Sequence, residues 1–378
     1  MRLSRDPAAR RRLLALATLA LVALAIGAVV GARSGTAPEA QRRTPTVVGR
    51  PARPEPAPER AVGRLLILRF AGVRAPGYVT RALREGRASG VVLFADNVEG
   101  PAQLRRLTAQ IQRAARGGAL ICTDQEGGQV RNVPAAGPEL PQPAQATPAL
   151  AADAAGQAAR GLRAAGINVN LAPVADVASA PASVMSGRAF PGQATAVAAL
   201  VRAALGGYRG REVAATVKHF PGLGAALANT DDAPVTIAAS APELERRDLE
   251  PFRAAASARA PLVMASHALY PALDGRRIAS QSRRVLTGLL RDRVGFDGAV
   301  VTDSLEAAAV TARSSVEVAA ARSVEAGADL VLMTGQGSYT RVHRHLTRRA
   351  ERSPAFRERV GQSGERVGRL KRGLGLRS

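Results

Sequence analysis

From residue 64 to the end of the chain, short apolar runs alternate with longer Ala/Arg/Leu segments whose apolar positions recur at helical spacing. Short runs without alternation read as strands covered on both faces, and the segments between them are long enough to be crossover helices. The pattern therefore predicts βαβ units and a parallel sheet. The runs lie at 65–71, 90–96, 119–124, 167–174, 213–219, 262–267, 299–303 and 329–334, and helix-like stretches lie at 101–116, 195–209, 241–256 and 282–295. Eight strands with helices between them favour a closed (β/α)8 barrel of the TIM type, within the α/β class, over an open doubly wound sheet.

Ahead of the barrel, residues 13–31 form an uncharged apolar stretch preceded by Arg2, Arg5, Arg10, Arg11 and Arg12. That length and charge placement read as an uncleaved membrane anchor of a single-pass protein whose body is extracytoplasmic, with a cleaved signal peptide and secretion as the alternative. No cysteine directly follows the stretch, so lipid attachment there is not expected. Residues 33–61 are rich in Pro, Ala and Arg and bury too little apolar area to order themselves, so they read as a tether. The expected division is 1–32 basic segment and anchor or signal, 33–61 linker, 62–373 barrel and 374–378 basic tail.

The formal charge of +23 invites a nucleic-acid reading, but its distribution argues against one. Residues 1–64 carry +8 and residues 338–378 carry +9, which leaves +6 for the long centre, and no basic patch is interleaved with aromatics. No nucleic-acid partner is expected. The single cysteine, Cys122, lies in an apolar run and reads as a core thiol, so no disulfide and no cysteine metal cluster is available. No metal site and no cofactor motif emerges; His343 and His345 sit in an Arg-rich helical segment and read as solvated surface.

In a (β/α)8 barrel the reacting groups come from the carboxyl ends of the strands. Here those ends read Asp124-QEGG, Lys218-HFPG, Ser266-His267 and Asp303-Ser304. Each residue alone has a plainer reading: Asp303 as a helix cap, His267 as the partner of a neighbouring carbonyl, the Gly127-Gly128 pair as a turn. Together they point to a polar cleft at the barrel mouth.

These residues fall into an ordered set: Asp124-QEGGQV, Asn170-LAPVADV with Ser186-GRAFPG, Lys218-HFPGLG, Ala265-SHALYPALD and Val301-TDSLEAAAV. In that order they resemble the amino-terminal barrel of glycoside hydrolase family 3, most closely its single-domain β-N-acetylglucosaminidases (β-N-acetylhexosaminidases). The resemblance spans about residues 64–335 and implies a retaining hydrolase of O-glycosidic bonds acting on terminal β-linked N-acetylglucosamine, for instance in cell-wall fragments. It places Asp303 at the nucleophile and Asp124, Arg188, Lys218 and His219 on the sugar. It implies a glycan partner and no cofactor, and leaves the oligomeric state open.

Two positions depart from the family pattern. The branch carries an Asp–His acid/base pair in the loop after Lys-His-Phe-Pro, where this chain has Asn229 and Asp231. An amide cannot transfer a proton, so three readings stand: Asp231 acts as acid/base, another group such as Asp232 does, or the barrel binds glycan without cutting it. The other departure is Asn132, where the family often carries a sugar-binding arginine, with Arg131 one position early.

Overall fold

The computed structural model describes residues 56–179 and 182–377. Its main sheet consists of β1 (Leu66–Arg69), β2 (Gly90–Val92), β3 (Leu120–Thr123), β4 (Val169–Asn170), β5 (Ala214–Phe220), β6 (Leu262–Ala265), β7 (Ala299–Ser304) and β8 (Leu330–Met333). Each strand pairs in parallel with its neighbours in sequence. Strand β8 pairs back onto β1, Val331 opposite Leu66, so the sheet is a closed barrel.

Except for β5 and β7, the strands are shorter than the apolar runs that announce them, most of all β4. There Pro173 has no N–H to donate, and the chain past Asn170 holds on to β5 through single bonds, Thr216 N–H to the Ala172 carbonyl (2.9 Å) and Lys218 N–H to the Pro173 carbonyl (3.1 Å). The barrel interior is filled by inward side chains, among them Ile67, Val92, Leu120, Cys122, Met264, Val301 and Leu332. Gly90 belongs to this close packing, since a Cβ there would stand 1.9 Å from the Leu120 carbonyl oxygen. Burial pushes the Cys122 thiol far up, which keeps it an inert core group.

Outside the sheet lie the helices α1 (Pro58–Gly63), α2 (Gly77–Arg84), α3 (Pro101–Ala114), α4 (Pro148–Ala164), α5 (Ala194–Tyr208), α6 (Glu250–Ser257), α7 (Val316–Ala326), α8 (Ser338–Arg352) and α9 (Pro354–Gly373). Arg284–Arg293, expected as an ordinary helix, winds in wider π turns. Helix α9 crosses the amino-terminal end of the barrel and closes it with Val367, Leu370 and Leu374.

Three expectations change in detail. Helix α1 starts inside the stretch read as tether, because Val62 and Leu65 have apolar ground to cover against α8 and α9. Leu374, read as tail, is buried in the barrel base. His343, read as solvated surface, sets its Nε2 3.0 Å from the Glu59 carbonyl on α1. Among the described residues no helix is long and apolar enough to cross a membrane; the run at 13–31 read as an anchor and most of the tether lie outside the described residues.

The basal closure is held by one fully buried carboxylate. Asp329 Oδ2 accepts from Arg291 Nη2 (2.6 Å) and from the Val300 N–H (3.0 Å), while Oδ1 accepts from Ser363 Oγ (3.0 Å), Arg359 Nη2 (3.1 Å) and Arg366 Nη1 (3.4 Å). Removing one partner from such a cluster strands the remaining buried charges, which typically costs about 3–5 kcal/mol. Asp329→Ala is therefore expected to lower the urea midpoint by that equivalent at an unchanged m-value; a loss under about 1 kcal/mol would mean the cluster is solvated after all.

Candidate active site

At the carboxyl end of the barrel a cleft of about 500 Å³ opens between the loops. Strand β3 ends next to Asp124, the inner part of β5 delivers Lys218 and His219, and β7 delivers Asp303. Arg188 comes from the loop before α5 and Asp231 from the loop after β5. All six residues singled out in the sequence, Asp124, Arg188, Lys218, His219, Asp231 and Asp303, line this one cleft, together with Arg69, Phe94, Asn132, Ser304 and Thr334.

One wall is a charge cluster. The buried Lys218 Nζ lies 2.6 Å from Asp124 Oδ1 and 2.7 Å from Glu126 Oε1, and Arg188 clamps Glu126 through Nε (2.9 Å) and Nη2 (2.7 Å). Burial alone would raise the Glu126 carboxyl and lower Lys218. The opposite charges outweigh it, so Glu126 is held at about 2 and Lys218 stays above its ordinary value. Glu126 thus fixes both cations in place from behind the cleft lining.

A carboxyl held low in the folded state contributes stability in full above its ordinary value of 4.5, and that contribution fades as pH falls from there toward about 2. Its size is on the order of 3 kcal/mol. The urea midpoint of the wild type should accordingly fall between pH 5 and pH 2.5, with a flatter dependence in Glu126→Gln. Parallel curves for the two proteins would remove Glu126 from the account of acid lability.

The opposite wall is built on His219. Its Nδ1 lies 2.6 Å from Asp176 Oδ2, which turns Nε2 toward Asp303 Oδ2 at 3.9 Å. The other Asp176 oxygen accepts the backbone N–H of His219 (3.2 Å) and of Leu223 (2.7 Å), so one buried aspartate sets both the ring and the start of the next loop. Asp303 Oδ1 accepts the Ser304 N–H at 2.8 Å. Burial pushes the Asp303 carboxyl up, but His219, then His267 and Lys218, and the Ser304 N–H outweigh it, and the group stays below the usual carboxylate range.

His267 does not reach the cleft. Its Nε2 meets the Ser304 carbonyl (2.9 Å), its Nδ1 meets Ser280 Oγ (2.7 Å), and burial lowers its proton affinity. It braces the strand end that carries Asp303, the plainer of its two sequence readings.

The loop after β5 brings Asp231 over the cleft. It is tied down on two sides: the N–H groups of Ser179 (3.1 Å) and Val184 (3.0 Å) bond the carbonyls of Gly224 and Ala226, and those of Ala308 and Ala309 bond the carbonyls of Asp231 and Thr230, both at 3.1 Å. Position 224 must be glycine for this contact, since a Cβ would stand 1.9 Å from the Val177 carbonyl oxygen. Asn229 accepts the Asp231 N–H through Oδ1 (3.2 Å) and approaches Asp231 Oδ2 with Nδ2 (3.4 Å). Partial burial at the cleft mouth, then the Asp303 and Asp232 charges, raise the Asp231 carboxyl above its ordinary value despite His219 and Asn229. Asp232 is exposed and lines no part of the cleft, and Arg131 turns to Glu139 (3.6 Å) while Asn132 faces the cleft.

Sequence reasoning gave Glu126, Asp176 and Glu306 no place in the site. The signal for Asp176 was present, an acid in an otherwise apolar run after β4. Among the described residues no group of three or more His, Cys, Asp or Glu is placed to hold a metal ion.

Two carboxyls, Asp231 and Asp303, lining one cleft of hydrogen-bonding groups at the mouth of a (β/α)8 barrel are the equipment of a glycoside hydrolase. The chain belongs to glycosyl hydrolase family 3, whose N-terminal domain matches residues 61–370. It is 35% identical over 292 residues to a secreted glycosyl hydrolase, itself uncharacterized, of Arthroderma benhamiae, covering 73% of this chain and 82% of that protein. It is 34% identical over 254 residues to a β-hexosaminidase of Nitrosomonas eutropha, covering 65% and 73%. Among solved structures, a family 3 β-N-acetylglucosaminidase from a Paenibacillus species superimposes with a TM-score of 0.79 at 34% identity, over 84% of this chain and 62% of that one. A β-N-acetylhexosaminidase from Beutenbergia cavernae gives 0.78 at 30% identity, over 84% and 99%.

Proposed function

We propose that the protein hydrolyses glycosidic bonds of terminal β-linked N-acetylglucosamine, in cell-wall or other glycan fragments, with retention of configuration. The observation that carries this reading is the pair Asp231 and Asp303: both carboxyls line one cleft, the first raised above its ordinary value and the second held below it. The names of the relatives, β-hexosaminidase and β-N-acetylglucosaminidase, support the choice of sugar.

In the first step an Asp303 oxygen attacks the anomeric carbon as the bond to the leaving oxygen breaks, and that oxygen takes the Asp231 proton. In the second step Asp231, now a carboxylate, removes a proton from water, whose oxygen displaces Asp303 from the anomeric carbon. Asp124, Lys218, Arg188 and His219 hold the sugar hydroxyls, with donors and acceptors already fixed by Glu126 and Asp176 and so needing little rearrangement on binding. The role of the branch's Asp–His pair falls to Asp231 alone, with Asn229 orienting its backbone and side chain.

The apolar run at 13–31 supports work on the extracytoplasmic side of a membrane, with residues 33–61 as spacer. Separating membrane and soluble fractions of cells making the full chain tests this; the protein found only in the cytoplasm would contradict it. The reaction itself is tested by proton NMR of the first product formed: release of the β-anomer supports retention, and release of the α-anomer contradicts it.

A further inference from the structure

Helix α8 presents a face that the barrel itself does not use. Val342, Leu346 and Ala350 turn inward to the core shared with α1, and Arg341 and Arg349 reach Glu317 and Glu325 of α7. Arg344, Arg348 and Arg352 recur every fourth residue, so they form one row along the outer side of the helix. All three are exposed, and among the described residues none of them has a hydrogen bond or an ion pair. Helix α8 has one acid, Glu351, against five arginines. Like charges one turn apart repel, so the row costs the helix stability that an anionic partner would restore.

That partner is not supplied by the chain. Residues 1–55 carry ten Arg against three acids, and a second copy would bring the same excess of positive charge, +9 over residues 338–378. The row is about 12 Å long, so it complements an array of closely spaced anions rather than a single ion. Its place in the fold says which array. The chain enters the barrel through α1, which packs on α8 and whose Glu59 carbonyl bonds His343 of that helix. The apolar run 13–31 stands upstream of this entry, so a chain held by that run would have the arginine row within reach of lipid headgroups.

We propose that Arg344, Arg348 and Arg352 rest on the anionic headgroups of a lipid bilayer. In a (β/α)8 barrel the helices run beside the strands, so contact along α8 lays the barrel on its side and the cleft opens along the surface rather than into it. Docking thus leaves the cleft accessible, whichever chemistry the cleft performs.

The test uses the full chain with a specific protease site placed in the linker, cut after folding, so that only the barrel's own surface can hold it to lipid. Each arginine near an anionic surface adds about a factor of five in binding, and the contact is screened by salt. The cut barrel should co-sediment with vesicles of phosphatidylcholine containing about 30% phosphatidylglycerol at about 0.1 M salt, and with neither pure phosphatidylcholine vesicles nor the mixed vesicles at about 1 M salt. The triple variant Arg344→Glu, Arg348→Glu, Arg352→Glu should bind about a hundredfold more weakly with an unchanged melting temperature. The same reversal at the exposed Arg105, Arg106 and Arg113 of α3 should weaken binding by less than about fivefold. Equal losses in the two triple variants would reduce the effect to net charge and overturn the proposal. Failure of the wild-type barrel to bind the anionic vesicles would overturn it too, and retention on isolated cell walls in that case would assign the row to an anionic wall polymer.

Discussion

Asp303→Asn should lower kcat on a β-N-acetylglucosaminide by on the order of 10⁴-fold or more, with the folded structure and sugar binding retained. The amide is isosteric and still accepts the Ser304 N–H, so the strand end that carries it is undisturbed, but it is not a nucleophile. The depressed carboxyl of the wild type is what makes the ionised form available throughout the working range, through His219, His267, Lys218 and the Ser304 N–H. The same variant should bind N-acetylglucosamine at least as tightly as the wild type, because the Asp124, Lys218 and Arg188 cluster lies on the other wall. Residual turnover within tenfold of wild type would move the nucleophile elsewhere.

Asp231→Asn should cost about 10²–10⁴-fold in kcat/KM, which reports the first step, on substrates with poor leaving groups and far less on a 4-nitrophenyl glycoside, whose leaving oxygen needs little protonation, while kcat falls on both because the second step loses its base. The pH profile separates the two carboxyls by sign. Activity requires Asp303 ionised, so the acid limb lies below the ordinary aspartate value; it requires Asp231 protonated, so the alkaline limb lies above that value. The Asp303 charge acts on Asp231, so the limbs are properties of the pair. In Asp231→Asn the alkaline limb should vanish and the acid limb remain. An alkaline limb that survives the substitution would assign the proton to another group.

The barrel was legible because its strands are buried on both faces, which turns each into an unbroken apolar run, and because polar residues stand at the carboxyl end of several runs. The catalytic candidates were legible for the same reason: Lys218, His219 and Asp303 interrupt apolar strands where barrel loops converge. What the sequence could not carry was orientation. His267 has the same signature as His219, a histidine at a strand end, yet it turns outward to Ser280 and the Ser304 carbonyl, while His219 is turned inward by Asp176. Glu126 and Arg188 are 62 positions apart, and nothing local says that they pair. The bounds of linker and tail shifted where small apolar contacts decided them, as at Val62 and Leu374, because those contacts come from elements far away in sequence.

The most direct test is the hydrolysis of 4-nitrophenyl β-N-acetylglucosaminide by the full-length wild type beside Asp303→Asn and Asp231→Asn. The account predicts cleavage by the wild type, its loss in Asp303→Asn, and in Asp231→Asn a largely retained kcat/KM for this activated substrate with the alkaline limb gone. Absence of cleavage in a wild type that binds N-acetylglucosamine oligomers would contradict it, and would make the barrel a glycan-binding protein without hydrolytic chemistry.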